Sequence, residues 1–304
     1  MLKTRLKPLL ETVLVQGGAP QLTGMFLRRR ALILAYHNVI PDQAEPIGDR
    51  SLHLHRREFA RQLDVLVRDF RVVPLDSLLD DLDDGGKPRV AITFDDAYAG
   101  AVIIGLGELL KRGLPGTVFV TPSLLGGKSF WWDGLRDELM GNRGDVFRRR
   151  VLVRHQGRDR LIRQWAEKKG LLANAVPGYA RSATENDLCV AVGHGNVALA
   201  SHSWSHADLS QLSESELHDE LTRSLGWLSD RFGAVIPWLA YPYGLSSPAV
   251  EGAAAQAGYR AAVRVGGGWV GSGPFDWYAL PRLNVPSSLS LNGFRLRLSG
   301  LVSG

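Results

Sequence analysis

The chain has 304 residues, 45% of them hydrophobic, a formal net charge of +5 and a single cysteine. Lone Cys189 excludes an intrachain disulfide and any multi-cysteine metal site, so metal chemistry falls to histidine and carboxylates. The length is enough to bury a core in one large α/β domain or two small ones, and no segment approaches the roughly 20 apolar residues of a membrane-spanning helix. The positive charge comes from arginine, with runs at Arg28-Arg29-Arg30 and Arg148-Arg149-Arg150. These read as solvated faces, with an acidic glycan, a membrane surface or nucleic acid as functional alternatives; no nucleic-acid-binding motif accompanies the charge, which makes nucleic acid the weakest of the three, and none is expected to be bound.

In chain order, residues 1–30 form an extension, with Lys3, Arg5 and Lys7 followed by an apolar stretch that Glu11 interrupts. That interruption, with no clear cleavage site after it, argues against a signal peptide and for a cytoplasmic location. Residues 1–27 are expected to form an amphipathic helix that packs on the body or, alternatively, touches a membrane peripherally. From there to residue 290, apolar runs alternate with helix-period stretches, the pattern of βα units and a parallel sheet. Strands are predicted at Leu32–Tyr36, Arg89–Phe94, Gly116–Val120, Val197–Ala200, Trp238–Ala240, Ala261–Arg264 and Leu280–Asn284. Helices are predicted at Arg57–Arg68, Tyr98–Arg112, Glu214–Arg231 and Ala249–Ala257. Gly113, Gly233 and Gly258 follow helices, where positive φ costs glycine least, and Ser213 with Glu216 reads as a capping box. Residues 125–190 interrupt the alternation with Phe130-Trp131-Trp132-Asp133 and a basic helical stretch, Phe147–Lys169, and read as an insertion. Gly266-Gly267-Gly268 reads as a loop, and residues 291–304 as a tail or short helix.

Two segments carry the chemistry. Thr93-Phe94-Asp95-Asp96 sets adjacent carboxylates at the end of an apolar run, and His202-Ser203-Trp204-Ser205-His206 sets two imidazoles four residues apart after another. Asp96, His202 and His206 make a carboxylate–histidine–histidine ligand set with a position left open for water. In a helical turn, residues four apart share a face, so both rings reach one ion. Zn²⁺ is the default, with Co²⁺, Ni²⁺ and Fe²⁺ compatible. The remaining carboxylate, Asp95, is free to act as a general base. Neighbouring residues on a strand point to opposite faces, so both carboxylates serve one site only if the strand ends there and the chain turns.

With Tyr241-Pro242-Tyr243-Gly244 and Leu280-Pro281-Arg282 following in order, the chain resembles the polysaccharide deacetylases of carbohydrate esterase family four, which carry the NodB-homology domain. The resemblance runs from about Leu32 to Val285. It implies a distorted or incomplete (β/α) barrel of about seven parallel strands, with the site at the strands' C-terminal ends, where all four motifs lie. It further implies a metal-dependent hydrolase that removes N-acetyl groups from an amino sugar in a poly- or oligosaccharide or a lipid-linked precursor. Another amide or ester hydrolase on the same scaffold and a non-catalytic glycan-binding protein are the rival readings.

By the same resemblance, the Tyr243 backbone N–H stabilises an oxyanion in a turn held by Pro242 and Gly244, although Pro and Gly also suit a plain turn. Many members carry an arginine shortly before that turn, where this chain has Pro237-Trp238-Leu239-Ala240. Arg282 takes its place by pairing with Asp95, or else forms a surface salt bridge. Many members also carry a late histidine as general acid, whereas this chain has none after His218. His37, in Ala35-Tyr36-His37-Asn38, is the substitute, and that Tyr-His pair resembles the poly-N-acetylglucosamine deacetylase-like branch. Its role, acid or orienter, stays open. Trp277 and Leu280 are expected to wall a pocket for the acetyl methyl, and Trp131 and Trp132 to stack on sugar rings or fill core. His53, His55, His155 and His194 are expected at the surface. Oligomeric state is not legible.

Overall fold

The computed structural model describes residues 11–17, 27, 29–80, 82, 86–136, 144–173, 175–271 and 273–301. Lys3, Arg5, Lys7 and Arg28 lie outside the described residues. The main sheet is parallel and runs in the order β10-β1-β5-β6-β7-β8-β9, with short β4 beside β5. Its strands are β1 (Ala31–Tyr36), β4 (Arg71–Val72), β5 (Arg89–Phe94), β6 (Gly116–Val120), β7 (Val197–Ser201), β8 (Val235–Ala240), β9 (Ala261–Val263) and β10 (Leu283–Asn284). This is the expected α/β incomplete barrel. At the seam a single parallel bridge, Val263 to Leu280, faces β10 on β1, because Pro281 breaks the predicted Leu280–Asn284 strand. A second parallel pair, β2 (Asn38–Ile40) with β3 (His53–His55), was not expected from the sequence.

Both faces of the curled sheet are apolar, which is why the strands read as continuous apolar runs. Residues of one parity, Ala31, Ile33, Ala91, Phe119, Ala200, Trp238, Ala240 and Val263, form the inner cluster. Those of the other parity, Leu32, Leu34, Val90, Ile92, Val118 and Leu199, pack outward. The inner row is rich in alanine, which leaves room for the large side chains of Phe119 and Trp238 in the same cluster.

Helices cover the outer face. Phe59, Leu63 and Leu66 bury one stripe of α1 (Arg56–Asp69). The predicted helix after β5 begins as a π-turn, Ala101–Gly105, and continues as α2 (Leu106–Leu110). Between β6 and β7 stand α3 (Gly144–His155), α4 (Asp159–Lys168) and α5 (Glu185–Gly193). The basic stretch is thus two helices, split where Gln156 and Gly157 both turn to positive φ. Arg148 in it is paired with Asp49 rather than simply solvated, while Arg149 and Arg150 are exposed. α6 (Glu214–Arg231) carries the expected capping box, Ser213 with Glu216. It ends on extended Phe232, so Gly233 does not take the positive φ expected of it, whereas Gly113 and Gly258 do. α7 (Pro248–Gln256) and α8 (Leu291–Leu298) complete the fold. Residues 11–16 are helical and reach the start of α8, where Ser290 donates to Glu11 at 2.5 Å and Asn292 to Thr12 at 3.1 Å. Among the described residues, no helix is long and apolar enough to cross a membrane.

Candidate metal and hydrolytic centre

Strand parity aims the first half of the site. On β5 the inward series is Ala91, Thr93, Asp95, and Asp95 continues the ladder by donating its N–H to the Tyr36 carbonyl at 2.9 Å. The same parity on β1 brings His37 inward, its Nε2 4.0 Å from Asp95 Oδ2. From the seam, Arg282 reaches in and donates to both Asp95 oxygens at 2.6 and 2.7 Å and to Thr93 Oγ1 at 3.2 Å. Arg282 is 0% exposed, so the alternative of a surface salt bridge falls. Burial opposes ionisation of Asp95, but the Arg282 charge, with His202 and His37, overrides it and holds the carboxyl well below the usual range. The carboxylate is therefore ionised and held in plane by a bidentate guanidinium.

Backbone turns aim the second half. Directly after Asp95 the chain leaves the strand, with Asp96 at φ 70° and Ala97 at φ 55°, and this turn lets both carboxylates serve one site. His202 follows β7 on the inward parity, with its N–H on the Val120 carbonyl at 2.8 Å. The H-x-x-x-H segment is not the helical turn expected from its spacing. Ser203 and His206 both sit at φ 61°, and the Ser203 hydroxyl accepts the His206 N–H at 3.1 Å, so a left-handed loop folds the second ring back onto the first. Five of the six described non-glycine residues at positive φ belong to these turns or to Tyr243. Such conformations cost about 1–3 kcal/mol each and persist where the surroundings fix them.

The three candidate ligands converge. One donor atom from each of Asp96, His202 and His206 lies within 4.8 Å of the others, all buried. Asp96 Oδ1 is 3.1 Å from His206 Nε2 and 3.6 Å from His202 Nε2, yet this buried oxygen has no well-formed hydrogen bond. A buried carboxylate oxygen facing two ring nitrogens without a proper bond is a donor set suited to a cation. His202 Nδ1 lies 2.7 Å from the Ala240 carbonyl, which assigns the proton to Nδ1 and leaves Nε2 toward Asp96. Burial lowers the His202 pKa to about 4, with His206 adding to the effect against the pull of Asp95 and Asp96, so the ring is neutral as a ligand requires.

Tyr243 stands at φ 59° in the Pro242–Gly244 turn. The turn's own bonds run from Gly244 N to Tyr241 O and from Leu245 N to Pro242 O, leaving the Tyr243 N–H outside them. Its ring lies 4.6 Å from that of His206, centroid to centroid. Gly244 has no substitute here, since a Cβ would meet Val265 N at 3.0 Å and Cβ at 2.9 Å.

Other expected site residues fare differently. Trp132 is 4% exposed and is committed to packing on His206 at 4.9 Å, while Trp131, equally buried, donates to the Tyr243 hydroxyl at 3.2 Å. Neither offers a free face for a sugar. Leu280 belongs to the inner cluster with Val263 and Trp238, and Trp277 stands 40% exposed against Phe275. His53 is not at the surface: it is 0% exposed, 3.1 Å from Asp133. His55 and His155 are half-buried, and His194 is exposed. The buried His53–Asp133 pair is what the sequence reading missed; its one visible signal was the acid ending Trp131-Trp132-Asp133.

An α/β incomplete barrel with a carboxylate–histidine–histidine cluster and a spare carboxylate at its strand ends defines the class. The polysaccharide deacetylase family model matches residues 83–262, and the chain belongs to that family. No curated protein matches the chain. Among solved structures, the fold is similar to the deacetylase PplD of Streptococcus pyogenes in complex with acetate (TM-score 0.63, 17% identity, 88% of this chain and 98% of that one). It is similar also to IcaB from Ammonifex degensii (TM-score 0.59, 18% identity, 89% and 96%) and to BA0330 from Bacillus anthracis, a putative polysaccharide deacetylase by its description (0.62, 16%, 88% and 69%).

Proposed function

We propose that the protein is a divalent-metal-dependent hydrolase that removes N-acetyl groups from N-acetylated amino sugars in a glycan. The observation that carries this reading is the Asp95 carboxylate, held by both terminal nitrogens of Arg282, beside the Asp96–His202–His206 cluster. A pure binding protein has no use for a spare base there. Similarity in fold to deacetylases, one of them holding acetate, favours the acetamide as the bond cut.

Asp96, His202 and His206 would hold the ion, with Zn²⁺ the first choice and Co²⁺, Ni²⁺ or Fe²⁺ compatible with the same donors. Such an ion supplies Lewis-acid polarisation and lowers the pKa of bound water from 15.7 toward about 7. Asp95 takes the water's proton as attack on the acetamide carbon begins. Its bidentate bonds to Arg282 fix its direction and keep it ionised until that moment. The Tyr243 N–H donates to the developing oxyanion. His37, 4.0 Å from Asp95, either receives the proton from Asp95 and passes it to the leaving amine, or orients Asp95 while Asp95 itself returns that proton to the amine. Acetate and a cationic glucosamine unit result. Leu280, on the inward parity two residues before Arg282, is assigned to the wall around the acetyl methyl, whereas Trp277 stands apart against Phe275. The proposal includes a cytoplasmic enzyme acting on a biosynthetic glycan intermediate.

The test is acetate release from chitooligosaccharides, β-1,6-linked N-acetylglucosamine oligomers and chitin. Wild type and Asp95→Asn are compared, each as isolated and after chelation and metal return. Acetate that needs both Asp95 and metal supports the reading and ranks substrates. A folded, metal-loaded protein releasing none would move the assignment to another amide or ester, and then to glycan binding.

A further inference from the structure

The two histidines of the H-x-x-x-H segment are held by different forces. A metal-ligating histidine normally donates its second ring N–H to an oxygen, which fixes both tautomer and orientation. His202 does so, through Nδ1 on the Ala240 carbonyl at 2.7 Å. His206 does not: its Nδ1 is buried and has no hydrogen-bond partner. What orients this ring is a clasp of aromatic rings, Trp132 at 4.9 Å with an interplanar angle of 50° and Tyr243 at 4.6 Å and 88°.

The clasp is itself anchored. The Trp132 indole N–H donates to the Tyr98 hydroxyl at 2.6 Å, and that hydroxyl donates to Asp133 Oδ2 at 2.5 Å. Asp133 Oδ1 lies 3.1 Å from His53 Nε2 and accepts the Asp49 N–H at 3.3 Å. Asn38 Nδ2 donates to the Tyr179 carbonyl at 2.9 Å and lies 3.0 Å from His53 Nδ1. The amide must therefore be the donor to Nδ1, and the His53 proton sits on Nε2, aimed at Asp133. Every bond in the chain has a donor and an acceptor without rotating any group. Its side chains come from β2, β3, the turn after β5 and the insertion, and Asn38, His53, Tyr98, Trp132 and Asp133 are all buried. Asn38 Oδ1 is its one buried side-chain atom without a hydrogen-bond partner, and His206 is the site residue at its end.

We propose that Tyr98, Asp133 and His53 are positioning residues for the metal centre: they lock Trp132 against His206 and so set that imidazole's orientation in place of the missing hydrogen bond. This rests on the metal reading given above. An asparagine at position 133 has a single acceptor oxygen for donors that now use two, so either Tyr98 or His53 loses its partner. Phenylalanine at 132 keeps a ring but has no N–H with which to hold it.

The test is a Co²⁺ titration of the full chain after chelation, followed by visible absorption, with thermal unfolding measured alongside. Compared are wild type, Asp133→Asn, Tyr98→Phe, Trp132→Phe and Phe294→Leu, the last thinning the core at α8 as a stability control. The network variants are expected to bind Co²⁺ roughly 10- to 100-fold more weakly, with an altered band shape. The control is expected to lower Tm while keeping both affinity and spectrum. Should Asp133→Asn fail to fold, Trp132→Phe carries the test. Wild type binding Co²⁺ while folded network variants match its affinity and spectrum would overturn the inference and leave the metal reading standing. Wild type binding no Co²⁺ would overturn both.

Discussion

The site has a strand-borne half and a turn-borne half. Asp95, His37 and His202 each lie one residue past a strand, on the inward parity, and Asp95 and His202 continue their ladders. Asp96, His206 and Tyr243 each sit in the left-handed region, at φ 70°, 61° and 59°. The first group inherits its direction from sheet register, so it is aimed wherever the barrel folds. The second depends on backbone conformations that L residues avoid, and needs local bonds and packing to hold them. The proposed base therefore sits on the self-orienting half, while two of the three candidate ligands sit on the half that must be held.

The sharpest way to separate the halves is Asp95→Asn, which removes a base without disturbing a turn. Acetate release is expected to fall by about 10²–10⁴-fold, while Co²⁺ binding, measured by the same titration, stays near wild type. Metal binding lost together with activity would show that the halves are not separable. Arg282→Met comes next. It strips buried Asp95 of its bidentate partner and leaves only His37 at 4.0 Å, and unfolding in urea should show a loss of about 3–5 kcal/mol. Adding Asp95→Asn to that variant should restore most of the stability, because the stranded charge is gone. An Arg282→Ala protein with full kcat/KM would remove Arg282 from the catalytic assignment.

The strand-borne half was legible in sequence and the turn-borne half only in part. The apolar runs ending at Phe94 and Ala200 mark, to within a residue, where the sheet stops, and parity then says which following side chain faces in. Arg282 was reachable the same way, as a cation on the last strand opposite a carboxylate. The geometry of His206 was not, because spacing of four suggests a helical turn, and nothing in Ser-Trp-Ser announces two left-handed residues. Trp132 was left open between sugar stacking and core for a related reason. Its aromatic character was visible, but whether it faces solvent or the site depends on the Tyr98–Asp133–His53 contacts, which join residues far apart in sequence.

The smaller effects probe how the turn-borne half is propped. The insertion reaches it at Gly157, whose carbonyl accepts from the Tyr243 hydroxyl at 3.3 Å. A Cβ at Gly157 would stand 2.8 Å from both Asp208 N and Tyr243 Cε2, at φ 66°. Gly157→Ala should therefore cost more than about 1 kcal/mol, read as a lower urea midpoint. Tyr243→Phe keeps the ring on His206 but removes the hydroxyl from Gly157 and Trp131. It should cost about 0.5–1.5 kcal/mol with Co²⁺ affinity unchanged; a weakened metal site would mean that the hydroxyl, and not only the ring, positions His206.

The neighbouring Gln156 supplies the mildest comparison. It too is left-handed, at φ 54°, but it lies outside the site, and what its turn uses is the backbone carbonyl that accepts the Asp208 N–H at 3.1 Å. Glycine keeps that carbonyl and removes the left-handed penalty of about 1–2 kcal/mol. Against this stand the added freedom of the unfolded chain, about 0.4–1 kcal/mol, and a side-chain bond from Arg158 at 3.2 Å. Gln156→Gly should thus be neutral to slightly stabilising, with a Tm rise of at most about 2–4 °C and unaltered acetate release. Ser203→Gly, by contrast, relieves a similar φ but deletes the hydroxyl that holds the His206 N–H, and should weaken Co²⁺ binding. If both glycine variants behaved alike, left-handed backbone would be incidental to the site. A difference between them would show that the cost of these conformations is borne where a ligand must be aimed.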